Sequence, residues 1–120
     1  MAAKKFLFLN RKAPYGTIYA LEALEVVLIT ATLDQDVSLA FLDDGVYELV
    51  KNQDTKGIGI KNHSKAYRAL GDYDVEKLYV ERESLAARGL VPSDLLVDVT
   101  VLSSAEMADL MTTQDVVLSF

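Results

Sequence analysis

The fold is decided by two consecutive stretches of the chain, residues 4–9 (KKFLFL) and residues 17–32 (TIYALEALEVVLITAT). The first is a short apolar run that ends at Asn10, as expected for a buried strand. The second contains no helix breaker, and Gly16 or Thr17 can cap its start. A buried strand followed by a long apolar helix is typical of the first unit of an α/β domain.

The remainder of the chain continues this alternation. Short apolar runs predict further strands at residues 37–42, 77–80, 95–102 and 115–120. Helical patterns lie between them, at residues 46–50, 65–70 and 81–88 and from a capping box at Ser103 to about Met111. Repeated βα units ending on a strand predict one domain over residues 1–120, with a mainly parallel sheet of about five strands and helices on both faces.

Composition and charge exclude several classes of function. The chain has 120 residues, of which 51% are hydrophobic, and a net charge of −6 that repels phosphate backbones. We therefore expect no direct binding of nucleic acid. No apolar stretch approaches the ~20 residues that cross a bilayer, and the apolar run at the start is too short for a signal peptide. We expect a cytoplasmic protein that is not embedded in a membrane.

The chain contains no cysteine and a single histidine. Disulfides, thiolate metal sites and a persulfide-carrying nucleophile of its own are therefore excluded. We expect no catalytic residue, no bound metal and no cofactor.

The helix over residues 17–32 is apolar around most of its circumference. We assign one stripe to the sheet: Ile18, Leu21, Leu24, Leu28 and Ala31. The opposite side then carries Tyr19, Ala23, Val26, Val27 and Thr30, with only Glu22 and Glu25 charged. This arrangement predicts that the outer face of the helix is buried against another subunit.

Two groups of polar residues are candidates for chemistry. Asp43 and Asp44 follow a predicted strand, where paired carboxylates could bind Mg²⁺, but adjacent aspartates are equally good turn and cap residues. His63 could act as an acid or base, although a lone loop histidine is usually plain surface. Gly57 and Gly59 lack the position and the third glycine of a dinucleotide-binding loop.

Two other segments are candidates for contacts with partners. Arg11 and Tyr15 lie in the turn after the first strand, which could bind an anion, contact a partner or serve only as a turn. The long polar loop over residues 51–63, which contains His63, is expected to order against a neighbouring subunit.

Several blocks of sequence, in this order along the chain, carry a family resemblance. They are residues 8–17 (FLNRKAPYGT), 42–47 (LDDGVY), 70–73 (LGDY), 87–90 (ARGL) and 115–120 (DVVLSF). Together they resemble the DsrF/TusC family over nearly the whole chain, and they are closer to DsrF than to TusC.

The resemblance implies a three-layer α/β/α, flavodoxin-like domain. It also implies a heterohexamer with DsrE/TusD-type and DsrH/TusB-type sister subunits, two copies of each. Such an assembly relays sulfur as persulfides, with carriers of the DsrC/TusE and TusA type, for intracellular sulfur oxidation or for tRNA 2-thiouridine synthesis.

The resemblance also places Glu81 at the position of the reactive cysteine of the DsrE/TusD-type subunit. A carboxylate cannot form a persulfide, so the resemblance implies an accessory, non-catalytic subunit. We take Arg11, Tyr15, Glu81 and His63 as candidate docking residues for partners. Two alternatives stay open: a small metal- or nucleotide-binding enzyme that uses Asp43, Asp44 and His63, and a homo-oligomeric scaffold.

Overall fold

A five-stranded parallel sheet forms the centre of the molecule. A computed structural model describes residues 3–13, 19–50, 67, 70, 71, 73 and 75–120. The strands are β1 (Lys5–Asn10), β2 (Asp36–Phe41), β3 (Lys77–Glu81), β4 (Thr100–Leu102) and β5 (Val116–Ser119). Their order across the sheet is β4-β3-β2-β1-β5, and every neighbouring pair is parallel.

Helices cover both faces of this sheet. They are α1 (Tyr19–Thr32), α2 (Arg82–Ala87) and α3 (Ser104–Thr112), with 3₁₀ helices at Asp43–Leu49 and Pro92–Asp94. The chain moves in one direction from β1 to β4 and then returns past β1 to β5. Right-handed crossovers therefore put α1 and α2 on one face and α3 on the other. The predicted three-layer α/β/α architecture is confirmed, and none of the described helices is long and apolar enough to cross a bilayer.

The two faces bury separate apolar clusters. The larger one joins Phe8, Leu39 and Val80 of the sheet to Leu24 and Val27 of α1, and continues under the first 3₁₀ helix and α2. A smaller cluster on the opposite face is closed by α3, whose Met107 packs against Leu7, Leu9 and Ala40. Alternating residues of β1 thus enter different layers, as the pleat of a strand requires.

The orientation of α1 differs from the prediction. Ala23, Val27 and Thr30, which we expected to face outward, are 1%, 0% and 9% exposed and lie against the sheet of their own chain. The hydroxyl of Thr30 donates to the carbonyl of Val26 at 2.8 Å, which satisfies its buried oxygen. The predicted outward orientation is therefore wrong for Ala23, Val27 and Thr30, while Ile18 and the side chains of Tyr19 and Leu21 lie outside the described residues. Among the side chains described from Glu22 onward, the exposed apolar ones lie at the end of α1 and just after it, at Ile29 and Leu33.

The fourth strand is also shorter than expected. Only Thr100–Leu102 pairs with β3, whereas we predicted a strand over residues 95–102. Leu95 instead forms an antiparallel bridge with Val50, and the amide of Leu96 donates to the carbonyl of Leu49 at 2.7 Å. The apolar residues before Thr100 therefore close the region under the first 3₁₀ helix rather than extend the sheet. The helix predicted over residues 65–70 falls almost wholly outside the described residues.

Gly45 allows the first 3₁₀ helix to lie directly on the end of β1. A Cβ at this position would be 1.7 Å from the carbonyl oxygen of Asn10, well inside van der Waals contact. The amide of Leu42 donates to the same carbonyl at 3.1 Å. A side chain at residue 45 would therefore push the Asp43–Leu49 helix away from β1.

Gly45→Ala should destabilise the chain by about 1–3 kcal/mol or more, because neither the Asn10 backbone nor the 3₁₀ helix can move without breaking its bonds. Gly71→Ala is the matched control, because a Cβ there has open space around it. Urea denaturation of both variants is the measurement. Equal stability of the two would contradict the close approach of Gly45 to β1.

Glu48 is a carboxyl group inside the larger cluster. It is 1% exposed and accepts a hydrogen bond of 2.5 Å from the hydroxyl of Tyr67, whose ring meets Phe41 edge-on. Burial raises the pKa of Glu48 to about 8, because the charged form loses its hydration, and the bond from Tyr67 opposes part of this rise. Glu48 therefore carries its proton in the folded chain at neutral pH.

Stability should fall as pH rises from about 4.5 to about 8, because the unfolded chain releases a proton that folded Glu48 keeps. The loss of unfolding free energy reaches about 1.4 kcal/mol per pH unit inside this window, and stability levels off above it. Glu48→Gln should remove this pH dependence of stability, while Glu76→Gln at the exposed surface should leave it unchanged. Denaturation at several pH values tests this, and an unchanged pH dependence in Glu48→Gln would refute it.

Candidate functional site

Polar side chains from four strands meet at the carboxyl edge of the sheet, where open α/β sheets present functional groups. Arg11 follows β1, and Asp43 and Asp44 follow β2. Glu81 is the last residue of β3, and Ser104 begins α3 after β4. Because the strands are parallel, these residues lie along one edge.

Both aspartates of this edge face arginines. The Nε of Arg11 lies 3.4 Å from Asp43 Oδ2, with both side chains 53% exposed. The guanidinium of Arg88 holds Asp44 Oδ1 through Nε at 3.1 Å and through a terminal nitrogen at 2.9 Å. The same arginine also donates to the carbonyl of Ser84 at 3.1 Å.

These ion pairs bear on the alternative of a metal site. Asp43 and Asp44 each point toward a cation of the chain rather than toward a shared centre. Among the residues that the structure describes, no group of three acidic or histidine side chains could hold a metal ion. The pair begins the 3₁₀ helix, and His63, the third residue of that alternative, lies outside the described residues. Asp43 adopts a positive φ of 52°, which aspartate tolerates better than most residues.

The hydroxyl groups of two serines lie against the carboxylate of Glu81. Its Oε1 accepts from the hydroxyl of Ser84 at 2.5 Å, and its Oε2 lies 3.2 Å from the hydroxyl of Ser104. The oxygen of Ser84, 4% exposed, also accepts from the amide of Asp43 at 2.8 Å. Hydrogen bonds therefore link the end of β2 through Ser84 to Glu81 at the end of β3, and Ser104 at the start of α3 lies close to the other oxygen of Glu81.

A second carboxylate, Glu83, lies beside Glu81 on the same serine. It accepts from the amide of Ser104 at 2.5 Å and from its hydroxyl, and it pairs with Arg82 at 3.2 Å. These hydrogen bonds from Ser104, together with Arg82, lower the pKa of Glu83. The edge thus presents anionic oxygens flanked by arginines, and it holds no thiol, since the chain has no cysteine.

The candidate docking residues divide into two groups. Arg11 and Glu81 lie at the same edge and are linked through Asp43 and Ser84. Tyr15 and His63 lie outside the described residues, as does the loop over residues 51–63.

Sequence reasoning missed the two serines that hold Glu81. Ser84 is one helical turn after Glu81, so its spacing was a usable signal. Ser104 is 23 residues away in sequence, and only the pairing of β3 with β4 brings it close. The capping box at Ser103 was recognisable and is confirmed: its hydroxyl accepts from the amide of Glu106 at 3.1 Å, and its amide donates to the Glu106 carboxylate at 2.9 Å.

Comparisons with known proteins agree with the resemblance seen in the sequence. The sequence profile of the DsrE/DsrF-like family matches residues 4–120. The chain is 56% identical to the intracellular sulfur oxidation protein DsrF of Allochromatium vinosum, over 98% of this chain and 96% of that protein. It is 33% identical to the TusC homolog of Vibrio parahaemolyticus, over 94% of this chain and 96% of that protein.

A solved structure confirms the fold. The crystal structure of the ychN protein from E. coli aligns with a TM-score of 0.84, covering 98% of this chain and 99% of its own. The two sequences are 20% identical, so the likeness shows a shared architecture.

Ser84→Ala should destabilise the chain by about 1–3 kcal/mol, because it leaves the amide of Asp43 without its acceptor and Glu81 without a donor. Ser93→Ala, at an exposed serine, should change stability by less than about 0.5 kcal/mol. Chemical denaturation of both variants is the measurement. A Ser84→Ala chain as stable as the control would contradict the hydrogen bonds of Ser84 with the amide of Asp43 and with Glu81.

Proposed function

The chain belongs to the DsrE/DsrF-like family, and we propose that it is a non-catalytic subunit of a sulfur relay complex. In this proposal it assembles with DsrE/TusD-type and DsrH/TusB-type subunits into a heterohexamer with two copies of each. The complex works in the cytoplasm and exchanges sulfur with carriers of the DsrC/TusE and TusA type. The higher identity to DsrF, 56% against 33% for the TusC homolog, favours intracellular sulfur oxidation over tRNA thiolation.

The observation that carries the proposal is the state of Glu81. The resemblance to the family implies that this residue takes the position of the reactive cysteine of the DsrE/TusD-type subunit. Here it is a carboxylate at the end of β3, and Ser84 and Ser104 lie against its two oxygens. Sulfane sulfur is carried on a thiolate, which a carboxylate cannot replace. The sulfur must therefore be held by another chain of the complex.

The proposal assigns this subunit a docking role at the same edge. The described residues there keep charged side chains in solvent, with side-chain exposures of 53% for Arg11 and Asp43 and 67% for Arg82. Exposed charges of both signs steer a complementary partner and fix its orientation more than they add affinity. Tyr15 and His63, which lie outside the described residues, remain proposed docking residues.

Co-expression with the DsrE-type and DsrH-type subunits should give one stable complex that contains all three chains in equal numbers. Native mass spectrometry measures the composition directly. Each copy of this chain contributes 13.2 kDa, so two copies per complex can be counted from the mass. Recovery of the two sister subunits together without this chain would refute the proposal.

Within that complex, Arg11→Ala should weaken binding of a sulfur carrier by roughly tenfold, about 1.4 kcal/mol, without dissociating the subunits. Lys77→Ala removes the same charge at the opposite edge of the sheet, where Lys77 bonds Asp36 at 2.8 Å, and should leave binding unchanged. Isothermal titration of the carrier into each complex is the test. Equal affinities for the two variants would place docking elsewhere.

A further inference from the structure

In the part of the chain that the structure describes, no strand pairs with the outer edge of β5. Among the described residues, β5 pairs with β1 alone, through Val116 to Ser119. The amide of Phe120 donates to the carbonyl of Leu9, and its own carbonyl accepts from the amide of Arg11, both at 2.9 Å. Peptide groups alternate in direction along a strand, so those of Val117 and Ser119 point away from β1. The edge therefore offers two amides and two carbonyls to another strand.

Nothing in the sequence of β5 blocks this edge. Exposed edge strands are usually protected by lysine, proline, a bulge or an inward-pointing charge, and Val116–Ser119 contains no charged residue and no proline. The nearest charge, Asp115, turns inward and accepts from the amide of Lys5 at 2.8 Å. The side chains of Val117, which is 40% exposed, and of Ser119 are both exposed to solvent.

We propose that two copies of this chain pair through the outer edges of their β5 strands, in antiparallel orientation around a two-fold axis that passes at Leu118. In this register Val117 lies opposite Ser119 of the second copy and exchanges two hydrogen bonds with it, and the reciprocal pair adds two more. All outward peptide groups of both strands are then used, and the two sheets become one continuous sheet of ten strands.

Other registers leave more of the outward amides and carbonyls of β5 without a hydrogen-bond partner. Centring the axis on Val117 would bring Asp115 into the ladder, but the amide of Asp115 already donates inward to the carbonyl of Lys5 at 2.9 Å. Centring it on Ser119 leaves the groups of Val117 beyond the end of the paired strands. The Leu118 register is therefore the one that the backbone of β5 favours.

The side chains agree with this register. Val116, Leu118 and Phe120 are half-buried and lie on the α1 side of the sheet, where Phe120 stacks on Phe8. Pairing sets Leu118 against its own copy and Val116 against Phe120, so every cross-strand pair on this side is apolar and none carries a charge.

A groove on the same side of the sheet adds apolar surface beside the axis. It measures about 650 Å³, runs between α1 and the sheet, and is lined by Phe6, Val26, Leu33 and Leu118 among others. A second β5 strand extends the floor of this groove with its own Leu118 and Phe120. Leu33, one of the residues that line the groove, is 65% exposed.

The absence of cysteine makes a direct test possible, because any introduced thiol is the only one in the chain. Opposed residues on a two-fold axis in a non-hydrogen-bonded pair have Cα atoms about 4.5 Å apart, within the range of a disulfide. Leu118→Cys should therefore give a disulfide-linked dimer under mild oxidation. Val101→Cys, on the opposite edge strand β4 and 36% exposed, should give no disulfide-linked dimer. Equal crosslinking of the two variants, or none with Leu118→Cys, overturns the proposal.

A second measurement covers the case in which Leu118→Cys does not fold. The full unmodified chain should sediment as a dimer of twice 13.2 kDa. Ser119→Pro removes only an outward amide, and Val117→Lys adds a charge to the edge, so each should raise the dimer dissociation constant by about tenfold or more with an unchanged circular dichroism spectrum. A wild-type chain that stays monomeric, or variants that dimerise as well as it does, overturns the proposal.

The pairing is independent of the proposed sulfur relay, and the two can fail separately. A mixed complex with the sister subunits in which Leu118→Cys does not link two copies of this chain would overturn the pairing and leave the relay proposal intact. Crosslinked dimers of this chain without any mixed complex would do the reverse. A sister-subunit strand crosslinked to β5 in the mixed complex would also overturn the pairing of identical copies.

Discussion

The arrangement of the carboxyl edge depends on the contact between Gly45 and the carbonyl of Asn10. With no side chain at residue 45, the first 3₁₀ helix lies on the end of β1 instead of standing away from it. That position brings Asp43 to Arg11 and Asp44 to Arg88. It also directs the amide of Asp43 at Ser84, which in turn donates to Glu81. Because Gly45 has no side chain, ion pairs and hydrogen bonds can connect the ends of β1, β2 and β3.

This network explains what the edge can do chemically. Glu81 lies between two serine hydroxyls, and the neighbouring Glu83 keeps a lowered pKa through Ser104 and Arg82. A site of this kind holds fixed negative charge and a hydrogen-bonded surface, but it offers no group that could accept sulfur. The proposed role, a surface that orients partners while another subunit holds the reactive thiol, follows from these contacts and from membership of the DsrE/DsrF-like family.

Much of the fold could be predicted from the sequence, because short apolar runs of four to eight residues alternate with capped helical patterns. The face of α1 that packs on the sheet could not be predicted, because that helix is apolar around most of its circumference. Its hydrophobic periodicity therefore does not single out one buried face. Packing decided it: Ala23 and Val27 are small enough to let the helix lie close to the sheet. The contact of Ser104 with Glu81 depends on strand pairing across 23 residues and leaves no local signal. Arg11 and Glu81 were predictable because both follow or end an apolar strand.

The central claim is that Glu81 contributes to the docking surface and not to the chemistry of sulfur transfer. The most direct test is the rate of sulfur transfer by the assembled complex when this chain carries Glu81→Ala, measured over a range of carrier concentrations. The account predicts an unchanged rate at saturating carrier and a higher concentration of carrier at half-maximal rate. A large loss of the saturating rate, in a complex of unchanged composition, would contradict it.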